Sequence, residues 1–244
     1  MADAECRQNR LLAAMTDADR ARLSLDLKLV PLELSQVLYD SGRLDHVYFP
    51  ITAIVSLLHR MRDGLGAEVA IVGNDGFVGV SQLLGGDAMP GKAVVLRSGS
   101  AFQLPSYRLR EEFAREPSVR EILLRYTQAL MTQVAQTVVC NRHHTLEQQL
   151  SRWLLLSMDL MPAADLAITQ ESIANLLGVR RERITEAAGK LRDAGLIRYR
   201  RRHIFITDRA GLESRACECY SVVRSEVDRI LPPCDREPDG SDAA

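Results

Sequence analysis

Thr169-Gln170-Glu171-Ser172-Ile173-Ala174-Asn175-Leu176-Leu177-Gly178-Val179-Arg180-Arg181-Glu182-Arg183-Ile184-Thr185 carries the densest set of local signals in the chain. Thr169 precedes an amphipathic run, Gln170 to Leu177, with Ile173, Ala174 and Leu177 on one side. A threonine hydroxyl there accepts a first-turn backbone N–H and starts a helix. Gly178 can take the left-handed conformation that ends a helix and opens a tight turn, and Val179 can plug the angle between two helices. A second helix is predicted from about Arg180 to Ala194, closed by Gly195. Ile184, Ala187, Ala188 and Leu191 form its apolar face, while Arg181, Glu182 and Thr185 lie on another face near its start. Two helices across a short glycine turn make a helix-turn-helix. Leu196 to Arg200 and His203 to Thr207 then read as two strands around Arg201-Arg202, a small basic hairpin or wing.

Charge supports the same segment. Arg180 to Arg202 holds nine basic and three acidic residues, a net of +6, on a chain whose total is −1. Residues 1–117 hold 13 basic and 15 acidic residues, a net of −2. A compact basic segment on a near-neutral protein is the electrostatic footprint of a nucleic-acid binder. The second helix of such a unit presents its N-terminal residues to base edges in the major groove. The wing arginines can neutralise phosphates beside it.

Upstream, 244 residues suffice for two domains. Glu5 to Leu27 reads as two short helices, the second started by Thr16 with Asp17 and Asp19. From Pro31 to Leu104, short apolar runs such as Val47-Tyr48-Phe49, Val69-Ile71 and Val94-Val95-Leu96 alternate with turn signals. These signals include Ser41-Gly42, Asp63-Gly64, Gly73-Asn74-Asp75-Gly76, Gly85-Gly86-Asp87 and Ser98-Gly99, and the pattern predicts an all-β roll or barrel. Ser106 to Arg115 reads as a short helix, and a long helix starts near Ser118. That helix is apolar on more than one face and needs two partners. One can be its own β-domain and the other the same helix of a second subunit, unless the helix is buried whole inside one large core. Ile122, Tyr126, Leu130 and Val134 are the predicted dimerisation residues.

Asn141-Arg142-His143-His144 interrupts the apolar pattern and is read as a solvated hinge rather than a metal site. A helix follows from Thr145 to about Met161, stopped by Pro162. The Pro- and Asp-rich stretch from Pro232 to Ala244 is expected to be a disordered tail. The expected organisation is α+β: a sensor roll over 1–117, a dimerisation helix and hinge over 118–142, a winged helix-turn-helix over 143–231, and a tail over 232–244.

Cys6, Cys140, Cys217, Cys219 and Cys234 are odd in number and scattered, so they are read as buried or incidental thiols, with no metal and no cofactor. No apolar run is long enough to cross a bilayer, and Met1-Ala2-Asp3-Ala4-Glu5 lacks the apolar core of a signal peptide; a soluble cytoplasmic protein is expected. No P-loop, nucleophile elbow or HExxH is present, so no enzyme is expected.

With roll, long helix and winged helix-turn-helix in that order, the chain resembles the Crp/Fnr superfamily of bacterial transcription regulators over nearly its whole length. The strongest part is Thr169 to Thr185, where Thr, an apolar-small pair and Gly-apolar-x-Arg-Glu-x-apolar stand as in the family. The resemblance implies a homodimer on an inverted-repeat operator in double-stranded DNA, with RNA polymerase as a further partner. It assigns base reading to Arg181, Glu182 and Thr185. Thr169, Gln170, Arg180, Arg183, Arg201 and Arg202 are expected on the DNA backbone. Arg matches guanine O6 and N7, and Glu accepts from cytosine N4. Glu186 departs from several relatives, which carry a basic or polar residue there, and this leaves the operator open.

The family's cyclic-nucleotide cassette, roughly Phe-x-Gly-Glu-apolar and later Arg-Ser-Ala, is degenerate here. Phe77-Val78-Gly79-Val80 puts Val80 in place of the ribose-binding Glu. Pro90-Gly91-Lys92-Ala93 lacks the phosphate-binding Arg, and Lys92 cannot form a bidentate clamp. Gly79, Val80 and Lys92 therefore mark a degenerate effector pocket, and the effector is an unknown small molecule or redox signal. Cys6 alone does not make the N-terminal iron–sulfur cluster of some members. His46 and His59 are read as ordinary roll histidines rather than haem ligands. The alternative to DNA binding is a ligand- or redox-sensing module that acts through protein partners.

Overall fold

The computed structural model describes residues 6–42, 44–62, 66–85, 89–160, 165–200 and 203–231. Asp63-Gly64, Gly86-Asp87, Pro162, Arg201-Arg202 and the 232–244 segment lie outside them. Helices α1 (Arg10–Ala13) and α2 (Asp17–Ser24) open the chain. Asn9 accepts from the Leu12 N–H and Thr16 from the Asp19 N–H, so each helix has a side-chain cap at its start.

Among the described residues seven strands follow: β1 (Lys28–Leu32), β2 (Val37–Gly42), β3 (His46–Pro50), β4 (Ile54–Arg60), β5 (Gly66–Val72), β6 (Met89–Arg97) and β7 (Gly99–Pro105). They pair antiparallel in two sheets, β1-β7-β3 and β2-β6-β4-β5. On β3 the side chains alternate, with Val47 and Phe49 buried between half-buried His46 and Tyr48. On β4 they do not, since Ile54, Val55, Ser56 and Leu57 are all buried. The reason is that β4 and β5 are covered on both faces. Val55, Leu57, Ala70 and Val72 belong to the roll's core, whereas Ile54 and Ile71 belong to a second core shared with the C-terminal half.

Helix α3 (Ser106–Arg115) leads into α4 (Pro117–His143), whose 27 residues span about 40 Å. Its inner face, Val119, Ile122, Leu123, Tyr126 and Ala129, is buried on the roll. The Tyr126 hydroxyl donates to the Phe77 carbonyl at 3.1 Å and its ring lies 5.2 Å from the Phe77 ring. Gly76 permits that approach: a Cβ there would stand 2.2 Å from the Tyr126 ring. Ile122 and Tyr126 are taken up by the chain's own roll, and Leu130 and Val134 pack partly against the same core. The apolar residues left exposed are Leu124, Met131 and Val138, spaced seven apart, with Val139 beside them.

The C-terminal half contains α5 (Leu146–Asp159), β8 (Asp165–Ala167), α6 (Gln170–Leu177), α7 (Arg181–Asp193), β9 (Ile197–Arg200), β10 (His203–Ile206), α8 (Arg209–Arg215) and α9 (Cys219–Ile230). A capping box starts α5: the Thr145 hydroxyl accepts from the Gln148 N–H while Gln148 accepts from the Thr145 N–H. β8 joins the wing as a third strand, in the order β8-β10-β9. The sequence did not announce this three-residue strand. Val227, Ile230 and Leu231, in and just after α9, pack into the first core, so the last described helix returns to the roll. Among the described residues no helix is long and apolar enough to cross a membrane.

Candidate nucleic-acid interface

Local chemistry places α6 and α7. Thr169 Oγ1 accepts from the Ser172 N–H at 3.1 Å, and Gly178 ends α6 at φ +66°, ψ +34°, in the left-handed region. Val179 N–H then bonds back to the Ala174 carbonyl at 2.9 Å, which tightens the turn. α7 buries Ile184, Ala187, Ala188 and Leu191 against α5 and α6. That packing leaves Arg180, Arg181, Glu182, Arg183, Thr185 and Glu186 exposed at its start.

The assigned residues are not all independent. Thr185 Oγ1 donates to Gln170 Oε1 at 2.8 Å, so a base-edge candidate on α7 is tied to a backbone candidate on α6. Glu186 pairs with Lys190 at 2.9 Å, one turn on. The hydrogen bond with Lys190 lowers the Glu186 pKa, so the acid that departs from the family is partly neutralised. β9 and β10 pair with Arg200 opposite His203, which makes the wing, and the Arg198 guanidinium stands 5.2 Å over the Phe205 ring. Arg201 and Arg202, between those strands, lie outside the described residues.

The helix-turn-helix is docked on the roll through β5. Trp153 of α5 donates its indole N–H to Glu68 Oε1 at 2.7 Å, and Ser56 donates to Glu68 Oε2 at 2.5 Å. Glu68 is buried at this joint, and burial pushes its carboxyl up to about 7, against the two hydrogen bonds and nearby Arg152.

The degenerate pocket residues fall on different parts of the roll. Gly79 has φ +124°, and a Cβ there would meet Val47 and Leu44 side chains at 2.7 and 2.8 Å. Val80 is buried in the apolar core. Lys92, on β6, pairs with Asp40 of β2 at 3.3 Å. His46 is half-buried on β3 and His59 is exposed on β4.

Two readings need correction. His144 is not a solvated hinge residue, and three of the cysteines are not scattered. The helix continues through His143, and His144 caps it with its side chain only 15% exposed. Cys140, His144, Cys217 and Cys219 meet with one donor atom from each, all within 4.8 Å of one another. Cys140 Sγ lies 3.5 Å from Cys217 Sγ, and their hydrogen bond lowers the Cys217 thiol while raising Cys140. The available signal was the one-turn spacing of Cys140 and His144 on a helix; the partners come from 77 residues further along, which no local pattern reveals.

The molecule is thus a two-sheet roll and a long helix carrying a winged helix-turn-helix. Residues 148–215 match the Crp-like helix-turn-helix domain family. Solved structures of similar fold include a protein assigned to the Crp/Fnr family of transcriptional regulators from Eubacterium rectale, with TM-score 0.66, 16% identity and coverage of 85% of this chain and 98% of that one. FixK2 from Bradyrhizobium japonicum gives 0.65, 16%, 78% and 98%. A Crp-family transcriptional regulator from Thermus thermophilus gives 0.65, 20%, 77% and 96%. At these identities the likeness is one of fold. A comparison with curated protein sequences finds no match. The segment 148–215 is thus a Crp-like helix-turn-helix domain, and the chain as a whole shares the fold of these regulators.

Proposed function

We propose that the protein is a sequence-specific DNA-binding transcription regulator that grips an inverted-repeat operator as a homodimer. The observation that carries this reading is the start of α7, where Arg180, Arg181, Glu182, Arg183 and Thr185 are exposed on a rigidly packed helix beside a basic wing. Arg181 and Glu182 read base edges, with Thr185 beside them. Thr169, Gln170, Arg180, Arg183 and the wing arginines hold the backbone. Among the described residues no side chain caps α7, so its first-turn N–H groups and helix dipole favour a phosphate there.

Dimerisation runs along the outer face of α4 through Leu124, Met131 and Val138, whose heptad spacing is that of a helix pair. Residues 1–117 act as sensor and 143–231 as DNA reader, with RNA polymerase as the downstream partner. Cyclic AMP is not the signal, because Val80 offers no acceptor to a ribose and Lys92 is engaged with Asp40. Selecting bound sequences from random duplex DNA with the full chain tests the reading. An inverted repeat with half-sites about 34 Å apart supports it, and recovery of no consensus contradicts it.

A further inference from the structure

Cys140, Cys217 and Cys219 form a buried cluster of their own, apart from both apolar cores. Each is at most 4% exposed. They sit where the end of α4 meets the corner between α8 and α9, with His144 one helical turn after Cys140. Thiols gathered as core packing would be dispersed among aliphatic side chains; here sulfur faces sulfur and imidazole. Cys140 Sγ to Cys217 Sγ and Cys219 Sγ to His144 Nδ1 are both 3.5 Å. Ligand atoms about 2.3 Å from a tetrahedral zinc ion stand about 3.8 Å from one another. We propose that Cys140, His144, Cys217 and Cys219 bind one thiophilic divalent cation of the zinc class, and that this ion clamps the winged helix-turn-helix to the end of the long helix.

The surroundings fit that ion. His144 Nδ1 faces the sulfurs, and its Nε2 lies 3.4 Å from Glu218 Oε1, the carboxylate–imidazole arrangement that orients a ligating histidine. Gln149 donates to the carbonyls of Cys140 and His144, at 3.4 and 2.9 Å, which fixes the backbone that carries both ligands. Three thiolates around a divalent ion leave a net charge of −1. Arg152 is buried beside the cluster, with its terminal nitrogens on Thr137 Oγ1 and its Nε without a hydrogen bond. A buried guanidinium in that place balances an anionic centre. Binding needs no oxidant or reductant: each thiol gives up its proton to solvent, at most three per ion, and the imidazole binds neutral. A Cys140–Cys217 disulfide would need the sulfurs to close from 3.5 Å to about 2.05 Å and would leave Cys219 and His144 without a role. Because the four ligands come from both sides of the joint, occupancy fixes how the helix-turn-helix is carried on α4.

The test uses the full chain, purified without oxygen, reduced, stripped with chelator and titrated with cobalt(II) and then zinc(II). One equivalent of cobalt should give the strong visible bands of a tetrahedral thiolate site, bleached by one equivalent of zinc. Ion binding should also raise the thermal midpoint. Cys217→Ser and Cys219→Ser should lose the tetrahedral bands, and Glu218→Gln should weaken cobalt about 10-fold, as expected for the partner of a ligating histidine. Cys234→Ser, outside the described residues, should behave as the parent. A reduced parent chain that takes up no cobalt, or bands that survive in both serine variants, would overturn the proposal. The cobalt spectrum involves no DNA, so its failure is distinct from failure of the DNA-binding reading.

Discussion

Glu68→Gln isolates the joint between the roll and the helix-turn-helix. The carboxyl accepts from Trp153 and Ser56, and burial raises it from 4.5 to about 7. Unfolded, the group ionises near 4.5; folded, it holds its proton until about pH 7. Between these values the folded chain binds more protons, so its stability falls as pH rises. The contribution is fully present below about 4.5 and lost as pH passes 7. A shift of this size corresponds to about 3 kcal/mol, with no discount for exposure because the group is buried. Glutamine has the same shape, can accept from Trp153 and donate to the Ser56 hydroxyl, and does not titrate. Parent and variant should therefore be nearly equal at pH 5 and diverge by about 3 kcal/mol in the variant's favour by pH 8. Urea unfolding at both values, followed by the fluorescence of Trp153, the single tryptophan, reads this directly. The difference between the two proteins cancels other titrating groups. Parallel pH profiles would refute the assignment of a buried, protonated carboxyl at this joint.

Leu124→Glu and Met131→Glu should each shift the solution mass from dimer to monomer with the fold intact, as read by light scattering. Ile122→Ala should instead lower stability by about 2–5 kcal/mol and leave the dimer contact in place. Gly178→Ala forces a Cβ into the left-handed turn, 3.3 Å from the Ala67 Cβ. It should cost about 1–2 kcal/mol in denaturant unfolding. Calorimetric titration with cyclic AMP should give no heat of binding at micromolar concentrations, and low-micromolar binding would mean that other residues replace the missing ribose and phosphate contacts.

The helix-turn-helix was legible because its signals are local. Thr169 caps, Gly178 turns and the apolar triplets repeat within a few residues, and the structure places both helices within a residue of the reading. The roll was legible as a class, since Val47 and Phe49 alternate and turn residues punctuate the strands. Long-range facts were not. Nothing in α4 by itself says which apolar face meets the roll. β4 and β5 are covered on both faces because Ile54 and Ile71 join the core of the C-terminal half, a fact held in contacts such as Trp153 to Glu68, 85 residues apart. The cysteine cluster is hidden in the same way, by a separation that only the fold closes.

The central claim rests on what Arg181 does. Affinities of the parent chain, Arg181→Ala and the Arg201→Ala, Arg202→Ala double variant should be measured on the selected operator and on random duplex across a salt series. The account predicts that Arg181→Ala loses about 1–3 kcal/mol of discrimination while binding random duplex nearly as before. The wing variant should weaken both DNAs alike and flatten the salt dependence by up to about two phosphate contacts per subunit. Full preference for the operator in Arg181→Ala would contradict the claim that the start of α7 reads the bases.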